Sequence, residues 1–131
     1  MNVIIDTNVF ISGIFWGGIP GKILDSWIND SFNLAVSPEI ISEYERILTE
    51  ITKSTKPELV AHWLLLIAQN AHIVEIRKRF NLCRDPDDNK FIDAAISFAE
   101  DYIITGDSDF LDLKNVMNAK IIRPRNFIDL L

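Results

Sequence analysis

The sequence has a single cysteine, Cys83, among its 131 residues, so no disulfide bond can form within the chain. A lone thiol is typical of proteins in a reducing compartment. No apolar run approaches the roughly 18 residues that cross a membrane, and no basic segment precedes the first apolar run as it would in a signal peptide. We therefore expect a cytoplasmic protein with no membrane contact, folded as one domain over residues 1–131.

Basic residues are scarce relative to acidic ones. Thirteen Lys and Arg residues stand against nineteen Asp and Glu, which gives a formal net charge of −6. Taken alone, this balance argues against a nucleic-acid binder, because phosphate contacts need Lys and Arg. The objection weakens if the acidic residues gather in one place, where a metal ion can neutralise them.

Several motifs that carry chemistry are also missing. There is no Gly-rich phosphate loop of the Walker type, no internal repeat and no low-complexity segment. His62 and His72 fit no metal-binding motif, and Cys83 has no obvious partner for nucleophilic catalysis. The carboxylates are the remaining candidates for a site.

What the sequence does contain is an alternation of short apolar strands and amphipathic helices. The strands are predicted at 2–6, 34–36, 73–76, 102–105 and 120–123. The helices are predicted at 7–13, 20–30, 38–50, from 57 onward, 85–100 and 108–113, with a helical turn at 124–131. This order indicates an α/β fold with a mostly parallel sheet covered on both faces. Ligands bind such sheets at the carboxyl ends of the strands.

Two acidic residues follow strands directly. Asp6 ends the first predicted strand, and Asp107 comes just after the strand at 102–105. Each is also a good helix N-cap, which is the ordinary use of an Asp in that position. Asp109 would then be a first-turn helper of the short helix. Both interpretations stay open for each residue.

Glu43 lies inside the apolar stripe of the helix at 38–50, three residues after Ile40 and four before Ile47. A buried Glu costs several kcal/mol unless its charge is compensated. A salt bridge to Arg46 or to a distant Arg is the alternative to a functional role.

The acid-rich start of the helix at 85–100 contains a second carboxylate of this kind. Asp88 stands at the top of the apolar stripe, three residues before Phe91. Asp93 shares a different face with Glu100, and we expect that face to be solvated. The spacing therefore favours Asp88 over Asp93 as a site residue.

Two strand ends and two helix faces thus direct carboxylates toward one edge of one sheet. Several like charges within a few ångströms do not all stay ionised unless a cation lies among them. All-oxygen ligands suit a hard ion such as Mg²⁺ or Mn²⁺. Such a site activates water for the hydrolysis of a phosphodiester.

The segments that carry these residues resemble the PIN-domain nucleases, in order and spacing, over nearly the whole chain. They are Asp6-Thr7-Asn8 after a strand, Ser37-Pro38 before the helix with Glu43, Asp85-Pro86-Asp87-Asp88-Asn89 before the helix with Ala94-Ala95, and Ile104-Thr105-Gly106-Asp107-Ser108-Asp109-Phe110-Leu111. The chain is most similar to the prokaryotic toxin (VapC-like) type.

The resemblance implies a three-layer α/β/α sandwich and cleavage of single-stranded RNA with Mg²⁺ or Mn²⁺. It implies an acidic quartet that binds the metal, a fifth catalytic acid at Asp109, a small antitoxin partner and a homodimer. The quartet would be Asp6, Glu43, Asp88 and Asp107. Polar helpers would be Thr7, Asn8 and Thr105. Asp85 or Asp87 could replace or assist Asp88.

Two other functions remain open on the sequence alone. A Mg²⁺-dependent phosphatase or phosphotransfer domain would want an Asp two residues after its nucleophile, where this chain has Asn8, and a Lys that reaches the phosphate, for which Lys90 is available. A PIN-like scaffold that binds RNA without cleaving it is the other alternative, and an intact quartet argues against it.

Overall fold

A mostly parallel sheet runs through the computed structural model, which describes residues 1–98, 100–116 and 118–131. Its strands are β1 (Asn2–Ile5), β2 (Asn33–Val36), β3 (Ala71–Ile73), β4 (Tyr102–Ile104), β5 (Asn115–Val116) and β6 (Ala119–Ile122). They lie in the order β3-β2-β1-β4-β6-β5. β5 pairs antiparallel with β6, and the other described neighbours pair in parallel.

Helices connect the parallel strands, as the alternating pattern predicts. They are α1 (Thr7–Phe15), α2 (Gly18–Ile28), α3 (Pro38–Ile51), α4 (Pro57–Asn70), α5 (Asn89–Phe98), α6 (Ser108–Leu111) and α7 (Pro124–Ile128). A 3₁₀ turn, Pro86–Asp88, precedes α5. The predicted cap of α3 is present, because Ser37 Oγ accepts a hydrogen bond of 3.2 Å from the Ile40 N–H.

Both faces of the sheet are covered. Val3, Ile4 and Ile5 follow one another in β1 and are all 0% exposed. Since successive side chains of a strand point to opposite faces, neither face of β1 meets solvent. α5 packs against β1 and β4, and α3 packs against β2. The predicted α/β/α class is confirmed.

An aromatic cluster lies between α1 and α3. The Phe10 ring stacks on the Tyr44 ring with centroids 4.3 Å apart and an interplanar angle of 7°. Trp27 and Trp63 pack around Phe10 at centroid distances of 6.2 and 5.8 Å. The Tyr44 hydroxyl donates a hydrogen bond to the Ile5 carbonyl, the last residue of β1. This cluster fixes α3 relative to the end of β1.

The order of the strands reverses at β1. The chain moves from β1 to β2 and β3 on one side, and then returns to β4 and β6 on the other side. The carboxyl ends of β1 and β4 are therefore the edge where such folds bind ligands. The Asp6 N–H donates to the Ile104 carbonyl at 2.9 Å, so the residues that follow these two strands are held side by side.

Some predicted boundaries differ from the structure. The third strand runs over Ala71–Ile73 instead of residues 73–76, because α4 passes into β3 without a loop and Ala71 pairs with Leu34. β5 was not predicted, since two residues carry no periodic signal. The helix predicted to reach Glu100 ends at Phe98 in the described residues, and Ala99 lies outside them.

The predicted solvated face of α5 is wrong. Asp93 is 1% exposed, because residues 77–84 cover that face of the helix. The Phe80 N–H donates to Asp93 Oδ1 at 2.9 Å, and the Arg79 guanidinium lies 3.8 Å from Asp93 Oδ2. Asp93 thus holds this connecting segment against α5. It does not lie with the carboxylates at the carboxyl ends of β1 and β4.

No helix in the described part of the chain is long and apolar enough to span a membrane.

Glu100 is also buried, at 4% exposure. It lies near the amino ends of the central strands, beside Asn2, Asn33 and His72. Burial, and to a smaller extent the neighbouring Asp101 carboxylate, raise the pKa of Glu100 to about 7. Within the described residues its Oε2 has no hydrogen-bond partner. The ionised form is therefore unfavourable in the folded state.

Glu100→Gln should stabilise the protein at pH 8 and should stabilise it much less at pH 5. A carboxyl whose pKa is raised in the native state leaves the free energy of unfolding unchanged below its unfolded pKa. Its ionisation lowers that free energy progressively as pH rises toward 7, and by a constant amount at higher pH. The expected gain at pH 8 is about 1–3 kcal/mol, from ~1.4 kcal/mol per pKa unit and partial solvent screening.

Urea unfolding of both proteins at the two pH values measures this difference. The exposed Glu45→Gln is the matched control, and it should change stability equally at both pH values. A gain from Glu100→Gln that is the same at pH 5 and pH 8 would show that the native carboxyl titrates normally.

Candidate active site

Asp6 stands at the reversal point of the sheet, immediately after β1. It is 7% exposed, and its side chain makes no capping hydrogen bond to α1. The N-cap interpretation therefore describes its backbone position but not its carboxylate. The Thr105 hydroxyl donates a hydrogen bond of 2.7 Å to Asp6 Oδ2 and ties it to the end of β4.

The pKa of Asp6 is raised above its ordinary value, chiefly by burial. The hydrogen bond from Thr105 and the nearby Thr7 backbone oppose this effect, whereas the charges of Glu43 and Asp107 add to it. Neighbouring protein groups thus leave part of the negative charge at this position uncompensated.

Glu43 reaches the same region from α3, and its side chain is 14% exposed. The Thr7 hydroxyl donates a hydrogen bond to Glu43 Oε2. The Lys90 ammonium lies 2.5 Å from Glu43 Oε1, and an Arg46 guanidinium nitrogen lies 3.9 Å from the same atom. The salt-bridge alternative is therefore present in the structure, with Lys90 as the close partner and Arg46 as a distant one.

Asp88 ends the 3₁₀ turn before α5 and is partly buried. Burial, followed by the charges of Asp6, Asp85, Asp107 and Glu43, raises the pKa of Asp88 to about 7. Like charges around Asp88 thus add to the effect of burial and disfavour its ionised form.

Asp107 follows β4 and caps the short helix α6. Asp107 Oδ1 accepts a hydrogen bond of 3.0 Å from the Asp109 N–H, and the Asp107 N–H donates to the Thr105 hydroxyl at 3.1 Å. Thr105 is fully buried, so one hydroxyl positions both Asp6 and Asp107. The Asp109 carboxylate is exposed and lies 3.5 Å from the Arg84 guanidinium.

These side chains line one cleft of about 200 Å³, which we name the acidic cleft. Its lining residues are Asp6, Thr7, Asn8, Glu43, Ile47, Asp85, Asp88 and Asp107. The structure thus brings the four predicted quartet positions together with Thr7 and Asn8, and it adds Asp85. Thr105 is not among the lining residues, but its hydroxyl bonds to Asp6. Neither Asp87 nor Asp109 lines the cleft.

The donor chemistry of the acidic cleft suits a hard divalent cation, because its charged donors are carboxylate oxygens. The raised pKa values of Asp6 and Asp88 indicate negative charge that a cation would compensate. Across residues 1–98, 100–116 and 118–131, however, no three Asp, Glu, His or Cys side chains already form a ready ligand set. Binding an ion would thus draw these carboxylates closer together, and it would place a second cation beside Glu43, which already pairs with Lys90.

Fold and cleft together define an α/β protein of the PIN type, and comparison with known proteins agrees. The PIN-domain family profile matches residues 2–109. An uncharacterized protein from Methanocaldococcus jannaschii is 35% identical over 141 positions, which cover 98% of this chain and 90% of the relative. The chain belongs to the PIN-domain family, whose general activity is that of a nuclease.

A solved structure with the same fold is the crystal structure of VapBC2 from Rickettsia felis bound to a DNA fragment from its promoter. The match has a TM-score of 0.65 and 15% identity, and it covers 94% of this chain and 98% of that chain. The identity is low, so this likeness concerns the fold.

The contact between Lys90 and Glu43 differs from the sequence-based expectation of an arginine as the partner of Glu43. The two residues are 47 positions apart. A signal was present, since Lys90 comes two residues after Asp88 in the first turn of α5, at the same edge of the sheet.

Proposed function

We propose that this PIN-domain protein is an endoribonuclease that cleaves single-stranded RNA with Mg²⁺ or Mn²⁺, and that it is the cytoplasmic toxin of a toxin–antitoxin pair. One observation carries most of the support. Carboxylates from four separate segments of the chain, Asp6, Glu43, Asp88 and Asp107, line a single cleft at the reversal point of a parallel sheet.

These four carboxylates would hold the divalent cation. When bound, such an ion lowers the pKa of a coordinated water and neutralises charge on the scissile phosphate. No covalent intermediate is needed for hydrolysis of this kind, which agrees with the lack of an obvious nucleophilic side chain in the sequence.

The chain's own residues position the acids and accept the proton. Thr105 holds Asp6 Oδ2, and Thr7 holds Glu43 Oε2. Asp107 Oδ1 is held by a backbone N–H, so Asp107 Oδ2 is the proposed acceptor for the proton of an attacking water. Asp109 is the weaker candidate for this role, because its carboxylate lies outside the acidic cleft beside Arg84.

The proposed antitoxin partner and homodimer rest on family likeness. The Rickettsia felis structure with the same fold is a VapBC2 assembly on promoter DNA. Co-expression of the chain with any small protein encoded beside its gene, followed by purification and light scattering, would reveal both. Recovery of a monomer without a bound partner would reject this part of the proposal.

Two rival functions make different predictions. For a phosphoaspartate enzyme, Lys90 would have to serve the nucleophile, but its ammonium contacts Glu43. Trapping of a phosphorylated aspartate would support that enzyme. An inactive RNA-binding scaffold would have no reason to bind Mn²⁺, so calorimetric titration with Mn²⁺ separates it from the nuclease.

The direct test of the proposed function is incubation of the protein with tRNA and mRNA fragments, with and without Mg²⁺ or Mn²⁺. We expect endonucleolytic fragments only when a divalent ion is present. Cleavage at an equal rate in excess chelator, or no cleavage with either ion, would reject the proposal.

Thr105→Val should weaken both metal binding and cleavage by about 10–100-fold, the usual cost of losing a group that orients a ligand. The substitution keeps the side-chain shape but removes the hydrogen bonds to Asp6 and Asp107. Calorimetry with Mn²⁺ and a single-turnover cleavage assay measure the two effects.

Thr105→Ser is the matched control, because it keeps the hydroxyl, and it should retain most of the activity. If the Val and Ser variants lost metal affinity to the same degree, the methyl group and not the hydrogen bonds would be responsible.

A further inference from the structure

A second cleft adjoins the acidic cleft, and Glu43 lines both. We name it the lateral cleft; it has a volume of about 390 Å³ and is lined by Pro38, Glu39, Ser42, Glu43, Arg46 and Lys90. Arg46 and Lys90 face the shared residue, and both lie within 4 Å of Glu43 Oε1. The Glu43 carboxylate thus lies between an anionic cleft and a cleft whose wall holds two cations and the Glu39 carboxylate, which is itself paired with Arg79.

The Lys90 ammonium is not in an ordinary surface position. Its side chain is 17% exposed and its partner Glu43 is 14% exposed, so the pair is largely withdrawn from water. Breaking a pair of this kind leaves a charge that needs another opposite charge. Arg46 differs, because its side chain is 58% exposed and also pairs with Glu50.

The two oxygens of Glu43 are held differently. Thr7 donates to Oε2 through a neutral hydroxyl, whereas Lys90 occupies Oε1 with a full positive charge. A divalent cation in the acidic cleft would compete with Lys90 for the charge of the Glu43 carboxylate, since two cations beside one carboxylate repel each other. Once displaced, the ammonium has the lateral cleft beside it and a long flexible stem with which to turn.

We infer that Lys90 exchanges anions during the reaction cycle. It neutralises Glu43 while no cation is bound, and it contacts a backbone phosphate of the RNA strand in the lateral cleft once a cation has taken Glu43. This inference rests on the proposed function. It makes Lys90 a substrate-binding residue whose availability depends on metal binding, so that the protein holds RNA firmly only when it is ready to cleave.

Lys90→Met is expected to change the affinities for two ligands in opposite directions. Mn²⁺ should bind more tightly, by about tenfold, because the competitor for Glu43 is gone. A single-stranded RNA oligonucleotide should bind the Ca²⁺-loaded protein about tenfold more weakly, because one charged phosphate contact is lost. The salt dependence of RNA binding should also fall by about 0.7 in log–log slope, the value for one phosphate contact on a single strand.

Lys90→Arg should restore the RNA affinity and the salt slope, since it keeps the charge. Lys22→Met, at an exposed position in α2, is the matched control and should change the affinity for neither Mn²⁺ nor RNA. Thermal unfolding identifies any variant that fails to fold, and Lys90→Gln then replaces Lys90→Met in the same measurements.

A purely structural Lys90 would hold Glu43 ready for the metal, and its loss would weaken Mn²⁺ binding. Weaker or unchanged Mn²⁺ binding by Lys90→Met, or an unchanged salt slope for RNA, would therefore overturn the inference. Failure of the proposed function is a separate result, because the unmodified protein would then neither bind Mn²⁺ nor cleave RNA.

Discussion

Asp6→Asn is expected to reduce RNA cleavage by at least about a thousandfold, which corresponds to ~4 kcal/mol of transition-state stabilisation. Asp6 is the buried acid at the end of β1, and it lines the acidic cleft together with Glu43, Asp88 and Asp107. The amide keeps the size of the side chain but removes the charge that would hold a cation. Single-turnover assays with Mn²⁺ measure the loss.

The same substitution should not destabilise the fold. The pKa of Asp6 is raised in the folded state, so its ionised form lowers the free energy of unfolding at pH 7. The amide has no charge and removes this penalty. The Asn oxygen can still accept the hydrogen bond from Thr105. We expect the urea midpoint at pH 7 to stay the same or to rise, as is common where function and stability conflict.

Asp25→Asn is the matched control for Asp6→Asn, because Asp25 is exposed on α2 and the change in net charge is the same. It should leave both cleavage and stability unchanged. Cleavage by Asp6→Asn within a few-fold of the unmodified protein would remove Asp6 from the proposed site.

Phe10→Ala is expected to destabilise the protein by about 3–5 kcal/mol, the usual cost of deleting a buried aromatic ring. Phe10 is 0% exposed, stacks on Tyr44 and contacts Trp27 and Trp63. Since Tyr44 also bonds to the end of β1, the cavity would loosen α3 against the sheet. Urea unfolding at pH 7 gives the loss.

Two further variants separate the ring contacts from mere size. Phe10→Leu keeps much of the volume and should cost less than half as much as Phe10→Ala. Trp16→Ala, at a residue that is 71% exposed, should change stability by less than about 0.5 kcal/mol. Equal losses from Trp16→Ala and Phe10→Ala would contradict the described core.

Local patterns were sufficient to find the acids that follow strands. Asp6 and Asp107 each come directly after a short apolar run, and the alternation of strands and helices places the ends of parallel strands at one edge. Helical spacing likewise placed Glu43 on the inner side of α3. These inferences need only the periodicity of the element that carries the residue.

Contacts between distant segments were beyond local patterns. Asp93 and Glu100 were expected to face solvent, but the connecting segment 77–84 covers Asp93, and Glu100 lies past the end of α5, near the amino ends of the central strands. Periodicity shows which residues share a face, but it does not show which segment returns to cover that face. The pairing of Lys90 with Glu43 escaped prediction for the same reason.

Short elements were the other source of error. β5 has two residues, and β3 has three residues that begin directly at the end of α4. Elements of this length are fixed by pairing with a neighbour, as Ala71 is by Leu34, and their own residues show almost no alternation.

Calorimetric titration with Mn²⁺ tests the central claim most directly, namely that carboxylates from four segments bind one cation jointly. We predict that the unmodified protein binds Mn²⁺ and that four single variants each weaken the same binding event by at least about tenfold. The variants are Asp6→Asn, Glu43→Gln, Asp88→Asn and Asp107→Asn. Retention of full Mn²⁺ affinity by all four variants, or no Mn²⁺ binding by the unmodified protein, would contradict the claim.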